Sequence, residues 1–435
     1  MLRRLPIALL LFAALAFGCA HSGVAPAPAP VSGPEAAAAP PLIVVSFDGF
    51  RWDYLDLYPT PNLRRLAREG VHAERLLPSF PTKTFPNHYT LVTGLYPEHH
   101  GIVSNTMWDE RFQALFSLSI REEVGAGRWW EGEPIWVTAE RQGRIATVFF
   151  WPGSEAEIQG IRPTFWMPYD PEADDVERLE LALSWLDRPK GERPDLILIY
   201  FDEPDGAGHR SGPLSEETRE QVVRVDGLAA RLRAGLEARG LFDAVDLLVV
   251  SDHGMAEVAP ERTIVLEEYL DLDEVRVLDP STMALLWPAP GQLDATLAAL
   301  SGAHPHLHVA RREEMPERLH YRAHPRIAPL VAWADPGWLI YTTHAERERR
   351  QQSVTRGNHG YDPAAPEMHA ILIGHGPSFR RDFTLPAVEN VDLYELLCAL
   401  LGLEPAPNDG DLARIAPLLT PEAAARAASR DDRAP

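Results

Sequence analysis

The sequence predicts an α/β protein, a doubly wound and mostly parallel sheet flanked by helices, with a small inserted cap subdomain. Three observations predict it. Short apolar runs recur along the chain, LIVVSF from Leu42, ATVFFW from Ala146, LILIYF from Leu196, LLVVS from Leu247 and AILIG from Ala370, and runs of this length and composition read as buried strands. Helical patterns separate them, among them TPNLRRLAREG closed by Gly70, VERLELALSWL and SEETREQVVRVDGLAARLRAGLEARG. Strand and helix alternation marks a parallel sheet with helices on both faces. The stretch from about 275 to 343 is less regular and richer in Pro and His, which sets it apart as an inserted cap.

In chain order, residues 1–19, MLRRLPIALLLFAALAFGC, combine a basic start with an apolar stretch too short to span a bilayer comfortably, and read as a secretory signal. The run LAFGC resembles a lipoprotein box that would leave Cys19 lipidated and attached to a membrane, with ordinary cleavage and a soluble product as the alternative. Residues 20–41 are dominated by Ala and Pro and form an extended tether. The main domain is expected over 42–418 and a tail over 419–435. This arrangement places the protein outside the cytoplasm, in the periplasm or anchored to the outer membrane of a Gram-negative bacterium.

The 435 residues are 45% hydrophobic and 24% charged, which is ordinary globular usage. A net charge of -22 argues against a duplex nucleic acid partner, whose binding draws on cationic side chains. With only Cys19 and Cys398 present, no thiolate metal site or disulfide framework can be built. Nothing in the sequence sets an oligomeric state.

Ligands of open α/β sheets sit beyond the carboxyl ends of the strands. Asp48 follows the first strand, Asp205 and His209 lie just beyond the Leu196 run, Asp252 and His253 follow the Leu247 run, and His359 sits between glycines in GNHGYD. Singly, each residue is an ordinary cap, turn or surface side chain. Together the carboxylates are too many to bury without compensating charge, which divalent cations would supply. Imidazole and carboxylate donors favour zinc, and ligand type alone leaves manganese and iron open.

The segment PTKTFPNHYTLVTGLYPEHHGIVSN places Thr84 at the start of a helix expected to open at Pro86. A helix start attracts anions, and a metal-coordinated Thr84 hydroxyl there would be a competent nucleophile. By residue type alone, simple capping of the helix is the favoured role.

The strings FDGFRWDYL, PTKTFPNHYTLVTGLYPEHHGI, EPDGAGH, SDHGM and GNHGYD resemble the motifs of the nucleotide pyrophosphatase/phosphodiesterase family of the alkaline phosphatase superfamily, in the same order. The similarity continues through GPSF and the ENVDLYELLCALLGLEPAPNDG segment, and it is to the minimal catalytic domain of bacterial members. The resemblance implies an alkaline-phosphatase-like core and two zinc ions per chain. One would be held by Asp205, His209 and His359, the other by Asp48, Asp252 and His253 with Thr84 beside it. It further implies Thr84 as nucleophile, Asn105 as hydrogen-bond donor to a phosphoryl oxygen, and Phe85 as a stacking surface for a nucleobase. A second aromatic wall is expected from Trp166 or Tyr169.

The implied reaction is hydrolysis of nucleotide phosphodiester and pyrophosphate bonds to nucleoside 5′-monophosphates through a covalent threonine intermediate. The alternatives are a lysophospholipid or glycerophosphodiester phosphodiesterase, or a phosphomonoesterase, on the same metal core. His88, His99 and His100 match no ligand position and are expected to be structural. His304, His306 and His308 in PHLHV could form a further metal site or simply a solvated face.

Overall fold

The computed structural model describes residues 39–189, 191–351 and 355–428. The signal and lipobox over 1–19 and the tether up to residue 38 lie outside the described residues. Among the described residues, no helix is long and apolar enough to cross a membrane.

Nine strands form the central sheet. Eight lie in the order Phe383–Leu385, Val71–Leu77, Ala370–His375, Asp246–Val250, Leu42–Phe47, Leu196–Phe201, Ala146–Phe149, Phe165–Met167, and Val388–Glu389 also pairs with the Val71 strand. Ala370–His375 runs antiparallel to both neighbours, and every other pairing in the sheet is parallel. The mostly parallel reading therefore holds, with AILIG as the one reversed strand.

Side chains alternate across each strand. Leu42 and Val44 enter one core, which contains the apolar residues of helix Leu393–Leu401, and Ile43, Val45 and Phe47 enter the other, with those of helices Pro61–Glu69, Asp175–Trp185 and Glu216–Ala238. Burial on both faces explains why these strands read as continuous apolar runs rather than alternating ones.

The expected insertion forms a four-stranded antiparallel sheet in the order Val275–Leu278, Met283–Pro288, Leu330–Ala334, Leu307–Arg311. It packs onto the rest of the fold. Met283, Leu285 and Val331 join the main core, while Ala284, Leu286, Leu330 and Ala332 face a smaller core on the other side. Buried Arg326 adds a polar tie: its Nε donates to Asp109 Oδ2 at 2.7 Å and its Nη1 to the carbonyls of Gly101 and Trp129 at 2.8 and 2.6 Å.

The boundary expected at 418 falls short. Helix Pro421–Ala428 buries Ala423 and Ala427 in the core that also contains helix Leu393–Leu401, so an apolar face continues the fold where a tail was expected.

Candidate active site

Each predicted ligand lies at or just past the end of an element at one edge of the sheet. Asp48 ends the first strand, Asp252 and His253 follow strand Asp246–Val250, and Asp205 begins helix Asp205–Ser211 with His209 one turn on. His359 follows the short strand Gly357–Asn358, which pairs with Ala256–Glu257. Gly49 permits the crowding between Asp48 and Asp205. Its φ is +68° and a Cβ there would stand 2.8 Å from that of Asp205, so only glycine fits.

Two sets of donor atoms converge. His209 Nε2 lies 3.4 Å from Asp205 Oδ2, His359 Nε2 lies 3.6 Å from Asp205 Oδ1, and the two Nε2 atoms are 3.1 Å apart. In the second set, His253 Nε2 stands 3.5 Å from Asp48 Oδ1 and 3.0 Å from Asp252 Oδ2.

The tautomers decide what these sets can bind. The Nδ1 atoms of His209, His359 and His253 each face a backbone carbonyl, of Gly357, Thr82 and Gly254, at 2.9, 2.8 and 2.9 Å. A carbonyl only accepts, so each Nδ1 carries a hydrogen, and a neutral ring turns the lone pair of Nε2 into the site. For His253, burial is outweighed by the Asp252 carboxylate, which raises the pKa, so its Nε2 offers a lone pair only once a cation displaces the proton it shares with Asp252. Two imidazole lone pairs facing at 3.1 Å repel unless a cation lies between them.

The carboxylates show the same vacancy of donors. Among the described residues Asp48 Oδ1 and Asp205 Oδ1 are buried and accept no hydrogen bond, and Asp252 Oδ2 has only the His253 and His88 nitrogens beside it, at 3.0 and 3.2 Å. Buried acceptors are rarely left this way, and the donor set fits divalent metals.

Electrostatics adds to this picture. Burial, then the charges of Asp252 and Asp205, push the Asp48 carboxyl well above its ordinary range. Burial pushes Asp252 up as well, but the His253 and His88 imidazoles outweigh it and carry that carboxyl well below the usual range. Burial and the neighbouring His253 and His209 keep His359 neutral, its pKa well below that of free histidine. The Tyr200 hydroxyl donates to Asp48 Oδ2 at 2.6 Å, the one strong donor on that carboxylate.

Thr84 is the first residue of helix Thr84–Thr93, two residues earlier than Pro86 suggested. Lys83 holds the cap position and its side chain makes no capping hydrogen bond, so Thr84 does not serve as a cap. Its Oγ1 stands 3.4 Å from His253 Nε2, beside the second donor set. Asn105 Oδ1 accepts from the Phe85 N–H at 3.1 Å, which leaves its Nδ2 to donate elsewhere. Lys83 is buried in an ion pair with Asp279 of the inserted sheet, and Ser104 donates to the same carboxylate.

A cavity of about 300 Å³ opens at Thr84, lined by Asp48, Phe85, Arg121, Glu155, Tyr169 and Asp202 among others. Phe85 packs on Phe116 and Trp130 at ring distances of 6.1 and 5.9 Å, so its position is fixed from behind. Tyr169 lines the cavity and Trp166 does not. Trp166 lies within the sheet-edge strand Phe165–Met167 with Arg162 over its ring at 5.3 Å, so of the two rings expected as a second wall it is Tyr169 that the structure brings to the cavity.

Residues 42–362, more than half of the chain, match the family model described as type I phosphodiesterase / nucleotide pyrophosphatase. The chain is also 39% identical over 378 residues to human ectonucleotide pyrophosphatase/phosphodiesterase family member 5, covering 87% of this chain and 78% of that one. The chain belongs to the nucleotide pyrophosphatase/phosphodiesterase family. It is 37% identical to bis(5′-adenosyl)-triphosphatase enpp4 of Xenopus laevis, over 89% of this chain and 83% of that one. The structure of murine ectonucleotide pyrophosphatase/phosphodiesterase 5, an inactive Thr-to-Ala variant in complex with AMP, superposes with a TM-score of 0.83 at 40% identity, covering 88% of this chain and all of that chain. Membership makes the protein a hydrolase of the alkaline phosphatase superfamily, and its fold is that of the family's catalytic domains.

Sequence reasoning did not disclose which groups of this phosphodiesterase His88 holds together. His88 was expected to be merely structural, yet its Nδ1 lies 3.0 Å from the Thr84 carbonyl and 3.2 Å from Asp252 Oδ2, while its Nε2 accepts from Ser46 Oγ at 2.8 Å. Both nitrogens meet protein groups, so His88 ties Asp252 to the Thr84 helix, and it also stands in a close donor group with Asp48 and Asp252. The signal was the four-residue spacing of Thr84 and His88, one helical turn. His99 and His100 do have structural partners, Asp409 and Thr90. His306 and His308 both pair with the exposed Asp335, and these histidines do not form one of the close donor groups found among the described residues.

Proposed function

We propose that this phosphodiesterase holds two zinc ions and hydrolyses nucleotide phosphodiester and pyrophosphate bonds to nucleoside 5′-monophosphates through a covalent bond to Thr84. The observation that carries the reading is the convergence of three imidazole Nε2 atoms and three carboxylates beside the Thr84 hydroxyl. Asp205, His209 and His359 would hold one ion, and Asp48, Asp252 and His253 the other. Bound there, the ions would neutralise the buried carboxylates, favour the Thr84 alkoxide and polarise the phosphoryl group.

This chain's own residues do the rest. Thr84 Oγ1 attacks phosphorus, the P–O bond to the leaving group breaks, and the departing oxygen takes a proton from solvent. Water then cleaves the new P–Oγ bond, releasing the monophosphate and restoring Thr84. Asn105, fixed through its oxygen to the Phe85 N–H, offers its amide hydrogens to the charge that develops on a phosphoryl oxygen. Phe85 and Tyr169 present the aromatic surfaces on which a base stacks. The relative solved with AMP and inactivated by a Thr-to-Ala change supports both the nucleotide and the nucleophile.

Acid-quenched mass spectrometry tests the intermediate. A phosphoryl-ester adduct on Thr84 is expected during turnover, and Thr84→Ala should lose at least about a thousandfold in kcat, the order of effect seen for essential catalytic groups. Thr84→Ala turning over near the parent rate refutes the mechanism.

We also propose export through residues 1–19, with lipidation at Cys19. Mass spectrometry of the mature amino terminus tests it: a lipidated Cys19 is expected, and an unmodified terminus beyond it refutes lipidation.

A further inference from the structure

We propose that Asp202 accepts hydrogen bonds from the ribose hydroxyls of the substrate, which makes it a specificity-determining residue for ribonucleotide diesters. The inference rests on the nucleotide reading above and deepens it.

Four carboxylates line the cavity at Thr84: Asp48, Glu155, Asp202 and Asp205. Three have evident work. Asp48 and Asp205 belong to the converging donor groups. Glu155 is paired with the Arg121 guanidinium and accepts from the Tyr169 N–H at 3.1 Å. Asp202 is partly buried, and no hydrogen bond or ion pair ties it to any described residue. A partly buried carboxylate without donor or counter-charge is costly, and its oxygens are free to accept from a ligand.

Its position says which part of the ligand. Asp202 directly follows strand Leu196–Phe201 and precedes the metal-side Asp205 by three residues. On the other side it acts on the aromatic wall: burial raises the pKa of the Tyr169 hydroxyl, and the charge of Asp202 is the next cause that raises it. Asp202 thus lines one cavity with Thr84, Asp48 and Asp205 at its phosphoryl side and Phe85 and Tyr169 at its aromatic side. In a 5′-nucleotide the sugar joins phosphate to base, so the sugar lies opposite Asp202 when both ends are seated. A carboxylate repels phosphoryl oxygens but matches a neutral pair of hydroxyl donors, the same pairing by which dinucleotide sites hold a ribose.

The test compares kcat/KM on p-nitrophenyl esters of one nucleoside 5′-monophosphate carrying ribose or 2′,3′-dideoxyribose, with bis(p-nitrophenyl) phosphate and p-nitrophenyl phosphocholine alongside. A hydrogen bond to a charged acceptor sets the parent's ribo-to-dideoxy ratio at about tenfold or more. Asp202→Ala should bring the ratio to near one, and Asp202→Asn, which keeps one acceptor oxygen, to an intermediate value. Dissociation constants for the ribo and dideoxy monophosphates should show the same collapse, a readout that a merely structural role would not move. A parent ratio near one, with nucleoside esters still preferred to the aryl diester, overturns the role of Asp202 and leaves the nucleotide reading standing. A loss in Asp202→Ala that is equal on all substrates also overturns it. If phosphocholine or the aryl diester outruns both nucleoside esters, the nucleotide reading falls, and Asp202 faces a cationic or other group instead.

Discussion

If two cations occupy the donor sets described above, zinc should stabilise the fold with a slope that counts the ions. Metal that binds the native state adds RT ln(1 + [L]/Kd) per site, so above both dissociation constants each tenfold rise in free zinc adds about 1.4 kcal/mol per ion, or about 2.7 kcal/mol for two. The folded residues from 39 to 428 number about 390, which gives an unfolding entropy of about 0.8 kcal/mol/K at the usual specific value. The melting temperature should therefore rise by about 3 °C per decade of buffered free zinc. His209→Ala removes one member of the set that joins Asp205 and His359, so the same titration should give about half that slope. Circular dichroism melts in zinc buffers measure both slopes, with a chelator sample as the floor. Identical melting temperatures in chelator and in zinc refute the two-ion reading, and a parent slope equal to that of His209→Ala refutes the second ion alone.

Phe85→Ala should lower kcat/KM on nucleoside esters by about 5- to 150-fold, the range that a lost base–aromatic stack of ~1–3 kcal/mol implies, and by less on a baseless aryl diester; equal losses on both would show that Phe85 only shapes the nucleophile's helix. Asp279→Ala strands the buried Lys83 ammonium and should cost about 3 kcal/mol or more of stability by denaturant titration, while Lys83→Met added to Asp279→Ala should recover most of it; a single variant as stable as the parent refutes the pairing. Asp246, pushed up to about 6 by burial, holds its proton in the native state over a range where the unfolded chain has released it. Its raised pKa means that the native state's advantage is fully present below about pH 4 and is lost as pH rises through about 6, so the parent should lose up to about 3 kcal/mol relative to Asp246→Asn across that window; a flat difference between the two denaturation profiles refutes this.

The positions of the metal-facing residues were legible because the fold makes them so. Buried parallel strands announce themselves as apolar runs, and in an open sheet the polar residue just past such a run is delivered to one common edge, as Asp48, Asp205 and Asp252 are. What the sequence did not disclose was where side chains go once the backbone is set. Trp166 and Tyr169 are three residues apart in one irregular stretch, and only the end of a three-residue edge strand decides which ring reaches the cavity. Lys83 adjoins the Thr84 hydroxyl in sequence, but its partner Asp279 comes from an inserted sheet almost two hundred residues on, at a left-handed backbone position with φ +55°. Helix Pro421–Ala428 was read as tail because alanine alone carries its buried face, too weak an apolar signal to mark a core helix.

The fate of Lys83 explains why a phosphodiesterase rather than a phosphomonoesterase suits this site. A monoester brings two negative charges and needs more positive charge around its free oxygens than a diester, which brings one. The cationic side chains that could meet the extra charge are spent elsewhere: Lys83 on Asp279, Arg121 on Glu155 and Arg51 on Asp53. Two divalent cations set against Asp48, Asp205 and Asp252 would leave a single positive charge before Thr84 ionises, and the cavity also contains Asp202. That surplus offsets the one charge that a diester or pyrophosphate carries on the reacting phosphoryl group, while the second charge of a monoester on that group would draw on the same surplus. On the proposed mechanism the diester's extra group adds surface at no cost in charge, and Phe85 and Tyr169, which line the cavity, would grip it at a distance from phosphorus and turn it into orientation for attack by Thr84.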